Sequence, residues 1–242
     1  LAIVANFILQ LYTREKSVRI LYMGSLAILL AQLALTSSRG GILTLLVILV
    51  AALFMLPNKK AVLWVFALGA LCAALVLFIR PDIWDRLFSL SAGLAAAAGP
   101  VRAYLWQAAL AIFADHPVLG TGLGTFQTVF LNDYAHLKTV ASDVSLSHTT
   151  VLTIAAELGT VGLLVLVALW VILIIRVFQL LNISGYSLSI FTNYRNHYYA
   201  GAGYFLWVLT VFVSSQGEGR FFEDPIFWLG CALLVVLKLR RY

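Results

Sequence analysis

The chain has 242 residues, of which 62% are hydrophobic and only 11% are charged, and its formal net charge is +6. Soluble globular domains carry about 25% charged residues, so this composition excludes a water-soluble domain, which would lack the charges to cover its surface. Apolar runs long enough to cross a bilayer recur along the chain, and they predict an all-α, polytopic helical membrane protein.

The apolar runs predict the transmembrane layout. They cover residues 1–11, 20–36, 42–56, 61–79, 149–175, 200–215 and 225–237. We therefore expect about seven transmembrane segments in a single integral-membrane domain, 1–242, with one long loop, 80–147, inside it. The chain begins within an apolar run, with no initiator Met and no basic stretch before it. We expect it to be the C-terminal part of a longer chain.

The long loop carries helical signals rather than the composition of a flexible linker. Apolar residues recur at three- and four-residue steps over 101–115, and Pro100 is well placed to begin a helix there. We expect an amphipathic helix at the membrane interface, with Tyr104 and Trp106 at headgroup level. The glycine-rich segment 120–124 follows, and because no strand precedes it, we interpret it as a tight turn rather than a dinucleotide-binding loop.

The distribution of charge predicts the orientation. Ten of the 16 basic residues fall in connectors on one side of this layout, and nine of the ten acidic residues lie on or near the other side. Because cytoplasmic connectors are enriched in Lys and Arg, the first side is expected to be cytoplasmic and the 80–147 loop to face outward. The layout places every basic residue, so nothing in the charge indicates a nucleic-acid partner.

Two arginines at the outer side are candidates for binding an anion. Arg39 lies between Ser38 and two glycines, where it could bind phosphate oxygens through its planar fork or could simply snorkel while capping a helical hairpin. Arg102 falls in the first turn of the helix expected in the loop, where the macrodipole disfavours a cation. It either faces water there or meets an anionic ligand.

His148 is a candidate general base. It opens the fifth apolar run directly after Ser147, which could cap that helix. A helix N-terminus favours the neutral imidazole, the form that accepts a proton in catalysis. The alternative is a histidine that only faces solvent.

Acidic residues and one further arginine could support such a site. Glu157 lies within the fifth run, where a carboxylate marks a functional site or pairs with a basic group. Glu218 and Arg220 lie in the last outer connector and are included as supporting residues. No metal-ligand spacing, Walker motif or Ser-His-Asp order stands out.

Several motifs occur in an order typical of one family. Ser38-Arg39-Gly40-Gly41 stands between two short helices, and residues 102–126 run from an arginine through His-Pro to the glycine-rich turn. His148 then opens a helix that contains Glu157-Leu158-Gly159, and Phe222-Glu223-Asp224-Pro225 precedes the last helix. From about residue 20 to its end, the chain resembles the C-terminal half of the bacterial O-antigen ligase and O-antigen polymerase family.

The resemblance implies an integral-membrane glycosyltransferase of surface-polysaccharide or lipopolysaccharide biosynthesis. The donor would be a glycan on undecaprenyl diphosphate, and the acceptor a sugar hydroxyl of lipid A–core or of another glycan. Arg39 and Arg102 match arginines held to bind the diphosphate, and His148 matches the histidine held to activate the acceptor. The resemblance also implies a reaction without metal or cofactor, in the bacterial inner membrane, with the active face periplasmic.

One departure from the family pattern keeps alternatives open. Family members often have Asn directly after the histidine, and this chain has Thr149. A polymerase of the same fold, a transporter of a small solute such as inorganic carbon, and a non-catalytic membrane subunit remain as other interpretations. For the ligase-like enzyme, we predict that Arg39, Arg102 and His148 converge on one outward-facing cavity.

Overall fold

A computed structural model describes residues 1–13, 15–36, 38–81, 100–139, 147, 149–185, 192–217 and 221–237. Within these ranges the chain forms helices and turns and no strand, which confirms the all-α prediction. The helices are α1 (Ala2–Tyr12), α2 (Lys16–Leu35), α3 (Arg39–Met55), α4 (Lys59–Ile79), α5 (Pro100–Asp115), α6 (Phe126–Asp133), α7 (Thr150–Gly185), α8 (Thr192–Ser215) and α9 (Pro225–Val236). Short 3₁₀ turns cover Ala135–Leu137 and Phe221–Glu223.

Three helices are long and apolar enough to cross a membrane. They are Lys16–Leu35, Lys59–Ile79 and Thr150–Leu180, while the apolar helices Ala2–Tyr12, Arg39–Met55 and Pro225–Val236 are shorter. The membrane character predicted from composition is therefore confirmed. The total of seven spans and the outward orientation of the long loop stay predictions.

Side chains that cap helix N-termini explain where several helices begin. The Ser38 hydroxyl accepts a hydrogen bond from the amide of Gly41, so α3 begins at Arg39, three residues before the predicted run. Asn58 accepts from the amide of Ala61 at the start of α4. At α9 the cap is Asp224, and the helix begins with a proline.

Lys59 joins the end of α3 to the beginning of α4. Its ammonium group donates to the carbonyl of Leu53 and lies 3.5 Å from that of Phe54, so a cation satisfies the last carbonyls of α3. Leu56, between the two helices, is fully buried. The capping lysine and the buried leucine together make this a tightly packed helical hairpin.

The chain divides into two compact units. The first comprises Leu1–Leu87, Leu173–Phe212 and Asp224–Tyr242, and the second comprises Phe88–Ile172 and Val213–Glu223. The core of the first unit consists of apolar side chains from α1 to α4 and α8, among them Ile8, Leu30, Val65 and Leu206. A cavity of about 570 Å³ in this unit lies between α1 and α8, and its lining is largely apolar.

The core of the second unit is formed by α5, α6 and the first part of α7. The α5 helix has the predicted bounds, and its buried face follows the predicted three- and four-residue steps. The ring of Tyr104 is 1% exposed and stacks on Phe130 with their centroids 5.9 Å apart. The Tyr104 ring therefore completes this protein core instead of facing lipid headgroups, and the level of α5 in the membrane stays a prediction.

Candidate active site

The α7 helix is broken at Gly159, which has φ 62° and ψ −155°. In an unbroken helix the amides of residues 160–161 would donate to the carbonyls of residues 156–157. Here the loop at 117–122 supplies two carbonyls for those amides and two amides for those carbonyls. The four bonds are Thr160 N to Pro117 O (2.8 Å), Val161 N to Val118 O (3.2 Å), Thr121 N to Ala156 O (3.1 Å) and Gly122 N to Glu157 O (2.8 Å).

Two glycines allow the loop and the helix to approach this closely. A Cβ atom on Gly120 would lie 2.3 Å from the carbonyl carbon of Glu157, and one on Gly159 would lie 2.4 Å from the carbonyl oxygen of Val118. Both glycines have positive φ, as do Gly122 and Gly124. The prediction of a tight structural turn over 120–124 is confirmed.

Glu157 fixes the far end of the same loop. Its side chain is 2% exposed, and its two carboxylate oxygens accept hydrogen bonds from the amides of Gly124 and Phe126, each at 3.0 Å. Because Phe126 begins α6, the carboxylate satisfies an amide that the helix leaves unpaired and lies at the positive end of the macrodipole. Backbone amides thus hold the Glu157 carboxylate, and no basic partner is needed to account for its burial.

Hydroxyl groups cluster where α7 begins. The side chains of Ser147, Thr150 and Thr153 are fully buried. The Ser147 hydroxyl lies 2.8 Å from that of Thr153 and donates to the carbonyl of Thr149 at 2.8 Å. It also accepts from the amide of Thr149, the residue directly before α7, at 3.3 Å. The helix therefore begins two residues later than the predicted cap at Ser147 implies.

The end of α8 binds the beginning of α7. The Thr150 hydroxyl lies 3.2 Å from the carbonyl and 3.0 Å from the hydroxyl of Ser215. The Gln216 side chain accepts from the amide of Val151 at 3.4 Å, while its backbone carbonyl accepts from the Thr149 hydroxyl at 3.4 Å. A glutamine from one helix therefore helps to cap another.

Arg102 reaches the same end of α8. Its Nη2 atom donates to the carbonyl of Gly217 at 3.3 Å, and the side chain is exposed in the first turn of α5. Since a guanidinium carries five N–H donors, one bond to a carbonyl does not use up its capacity to bind an anion. Three segments of the second unit thus meet around residues 215–217, and we take this as the candidate active site.

The other predicted residues have different positions. His148, Glu218 and Arg220 lie outside the described residues, although Ser147 and Thr149, on either side of His148 in the chain, are described. Arg39 is half-buried as the first residue of α3 and belongs to the first unit. The convergence of Arg39, Arg102 and His148 on one cavity stays a prediction.

The sequence reasoning missed the residues that join these segments. Thr150, Ser215 and Gln216 were not candidates, because each looks like an ordinary polar residue at the end of an apolar helix. The available signal was the density of hydroxyl and amide side chains at two helix ends. The buried hydroxyl groups of Thr150 and Ser215 require hydrogen-bond partners in an otherwise apolar chain, and they supply these to one another.

Comparison with known proteins connects this site to a family. Residues 24–167 match the protein family described as O-antigen ligase, and the match covers more than half of the chain. A search of curated proteins and a search of solved structures each found no match. The matched segment contains Arg39, Arg102 and the broken first part of α7. The chain belongs to the O-antigen ligase family, whose members ligate or polymerise glycans at membranes.

Proposed function

We propose that the protein is a glycosyltransferase that moves a glycan from undecaprenyl diphosphate to a sugar hydroxyl, with lipid A–core as the acceptor in the ligase reaction. Family membership supports the class of reaction. The observation that carries the proposal for this site is that Arg102 and Thr149, the residue after His148, both bond to backbone carbonyls directly after α8, while Ser147, the residue before His148, bonds to Thr149.

In the proposed reaction the acceptor oxygen attacks the anomeric carbon of the donor sugar. The bond between that carbon and the diphosphate oxygen breaks, and undecaprenyl diphosphate leaves with the bonding electrons. His148 takes the proton of the acceptor hydroxyl as the new bond forms. Arg102 and Arg39 stabilise the negative charge that grows on the diphosphate, so the scheme uses no metal and no cofactor.

The environment of Arg102 favours an anionic ligand. A cation in the first turn of a helix is opposed by the macrodipole, and an anion bound beside it would offset that cost. The Gly217 carbonyl, 3.3 Å from Nη2, restricts the orientation of the guanidinium. A restrained planar fork suits two oxygens of a phosphate group better than a mobile ammonium does.

The neighbours of His148 favour a restrained base. Thr149, in place of the asparagine common in the family, donates its hydroxyl to the carbonyl of Gln216. Ser147 is fully buried and bonds to Thr149 and Thr153. We propose that these bonds take over the orientation of His148 in this chain, at the periplasmic side of the bacterial inner membrane.

The test follows release of undecaprenyl diphosphate by the protein in liposomes, with a lipid-linked glycan and candidate acceptors. We expect His148→Ala to lower the rate by about 100-fold or more, the usual contribution of a general base. Arg102→Ala should lower it by about 100-fold, and Arg102→Lys by less, because the charge remains without the fork. Lys138→Ala, at an exposed position of the second unit, is the control and should leave the rate unchanged.

The outcomes of this assay distinguish the reaction class from the roles of the individual residues. Release that survives both His148→Ala and Arg102→Ala would keep the enzyme class and reject the roles given to these residues. Release that requires a second lipid-linked glycan as acceptor would identify a polymerase. If the parent protein releases nothing with any acceptor, the proposal fails, and solute uptake by the same liposomes would test the transporter alternative.

A further inference from the structure

The burial pattern of α7 changes at its break. Before Gly159, residues 153–157 are all buried, and Thr153, Ala156 and Glu157 contact other residues of the second unit. After the break, exposed residues recur along the helix, and Leu164 is 63% exposed. Protein thus covers the helix before Gly159, whereas after Gly159 the helix exposes large apolar side chains. Such a change along one helix indicates that the second part is no longer surrounded by protein.

The length of α7 gives the same boundary. The candidate span Thr150–Leu180 has 31 residues and contains an 18-residue window with a mean hydropathy of 2.9. At 1.5 Å per residue it would measure about 46 Å, well above the roughly 30 Å of a hydrocarbon core. The part after the break, residues 160–180, would measure about 31 Å. The part of α7 after the break therefore matches the thickness of a hydrocarbon core, whereas the whole span exceeds it.

The loop bonded to this point exposes apolar side chains. Val118, Leu119 and Leu123 are 62%, 71% and 65% exposed. The carbonyl of Val118 accepts from the amide of Val161, so this loop is fixed beside the first exposed turn of α7 after the break. Asp115 and His116, which precede it, are exposed and polar.

The backbone of the loop is suited to contact with lipid. Irregular backbone is tolerated at membrane depth only where its polar groups have partners within the protein. The four exchanged bonds with α7 pair backbone groups of residues 117–122, and the Glu157 carboxylate accepts from the amide of Gly124. The loop thus combines paired polar backbone groups with outward apolar side chains.

We propose that residues 117–124 form a membrane-contacting wedge, in which Val118, Leu119 and Leu123 insert into bilayer lipid beside the first turn of α7 after its break. The partner is the lipid of the bilayer itself, because the exposed apolar surface of the wedge adjoins that of a candidate membrane span. This proposal is independent of the proposed catalytic roles, since it requires only that α7 crosses the membrane.

The test places single cysteines in a background of Cys72→Ala and Cys231→Ala, labels them with bimane and reconstitutes the full chain in liposomes. Leu119→Cys and Leu123→Cys probe the wedge, and Leu164→Cys marks the lipid-exposed span. Ala135→Cys is the matched control, an exposed position in the same unit. Spin-labelled lipids report contact with the bilayer, and iodide in the buffer reports contact with water.

We expect lipid quenching at positions 119 and 123 to reach at least half of that at position 164, and to exceed several-fold that at position 135. Quenching by iodide instead, as at position 135, would overturn the proposal by placing the loop in water. Protection from both quenchers would also overturn it, because a protein surface would then cover the loop. The wedge side chains are largely exposed, so these substitutions leave the packing intact.

Discussion

Replacing Gly159 by alanine tests whether the break in α7 depends on close contact between two backbones. The glycine has φ 62° and ψ −155°, a region that residues with a side chain avoid. The new Cβ atom would also lie 2.4 Å from the carbonyl oxygen of Val118 and 2.7 Å from the amide nitrogen of Gly120. Both are backbone atoms, so no side-chain rotation relieves the contact and the loop has to move away.

The free-energy cost of Gly159→Ala follows from its backbone conformation and from these contacts. The backbone conformation alone costs a residue with a side chain about 1–3 kcal/mol. Separation of the loop from the helix also loses hydrogen bonds, each worth about 0.5–1.5 kcal/mol net. With two bonds lost, the docked loop is destabilised by about 2–6 kcal/mol, which corresponds to about 30-fold or more in its equilibrium.

Hydrogen exchange of the amides of Thr121 and Gly122 in detergent micelles, followed by mass spectrometry, measures how far the docked loop is destabilised. These amides donate to α7 only while the loop is docked, whether or not the alanine straightens the helix. Gly124→Ala is the matched control, because its φ is 78° but a Cβ there meets nothing within 4 Å. It should cost only the about 1–2 kcal/mol of a left-handed residue, about 5–30-fold in exchange.

The reasoning is refuted if the two loop amides in Gly159→Ala stay as protected as in Gly124→Ala. The contacts of the added Cβ atom with the loop backbone would then not destabilise the docked loop, and the break would have to arise from the loop alone. Loss of protection in both variants to the same degree would have the same meaning, since only Gly159→Ala introduces the contact.

Three further predictions concern single side chains. Glu157→Gln should destabilise the second unit by about 1–3 kcal/mol, because a side-chain amide group replaces one of two oxygens that accept from backbone amides; thermal unfolding in detergent measures this. Arg176→Ala should speed exchange at the end of α9 by about tenfold, since Nη2 of this arginine donates to the carbonyl of Leu237 at 2.6 Å, and Arg176→Lys should restore part of the protection. The hydrogen bond from Tyr134 to Asp115 raises the pKa of the tyrosine from 10.0 to about 12, so its contribution to stability is present in full below pH 10 and is lost as the pH rises through 12. Absorbance titration at 295 nm should therefore lose one tyrosine's share of the change near pH 12 in Tyr134→Phe, and a titration identical to that of the parent would contradict this assignment.

The features predictable from sequence were those set by local chemistry. The bounds of α5 follow from Pro100 at one end and His116-Pro117 at the other, and the glycines at 120, 122 and 124 favour a turn whatever surrounds them. Composition alone gives the all-helical membrane class. These signals are strong because each depends on the residue itself or on its immediate neighbours.

The break in α7 could not be predicted in this way. Glu157 is the only charged residue in the run 149–175, and a glycine within this run is compatible with an unbroken helix. The bonds that stabilise the break come from residues more than 30 positions earlier in the chain, and they are specified by backbone geometry rather than by side-chain type. No periodicity in a sequence encodes such a partner.

The candidate site was predictable only in part. Arg102 attracted attention because its charge opposes the helix dipole, whereas its partner Gly217 lies 115 residues away and contributes only a carbonyl. In the sequence the hydroxyl of Thr150 looks like an ordinary helix-terminal group. Only the structure shows that it contacts Ser215, 65 residues later. Pairs of small polar groups that lie far apart in the chain have no characteristic spacing, so they could not be predicted from the sequence.

The exchange of hydrogen bonds at the break also bears on biosynthesis. As a nascent segment, residues 150–180 can satisfy every internal amide as a straight helix, since the groups freed at Gly159 are each other's ordinary partners. Insertion of this span by the translocation machinery therefore needs no help from the loop, which has already left the ribosome. Docking of the loop can then replace these helix bonds with its own, so formation of the break need not compete with insertion of the span.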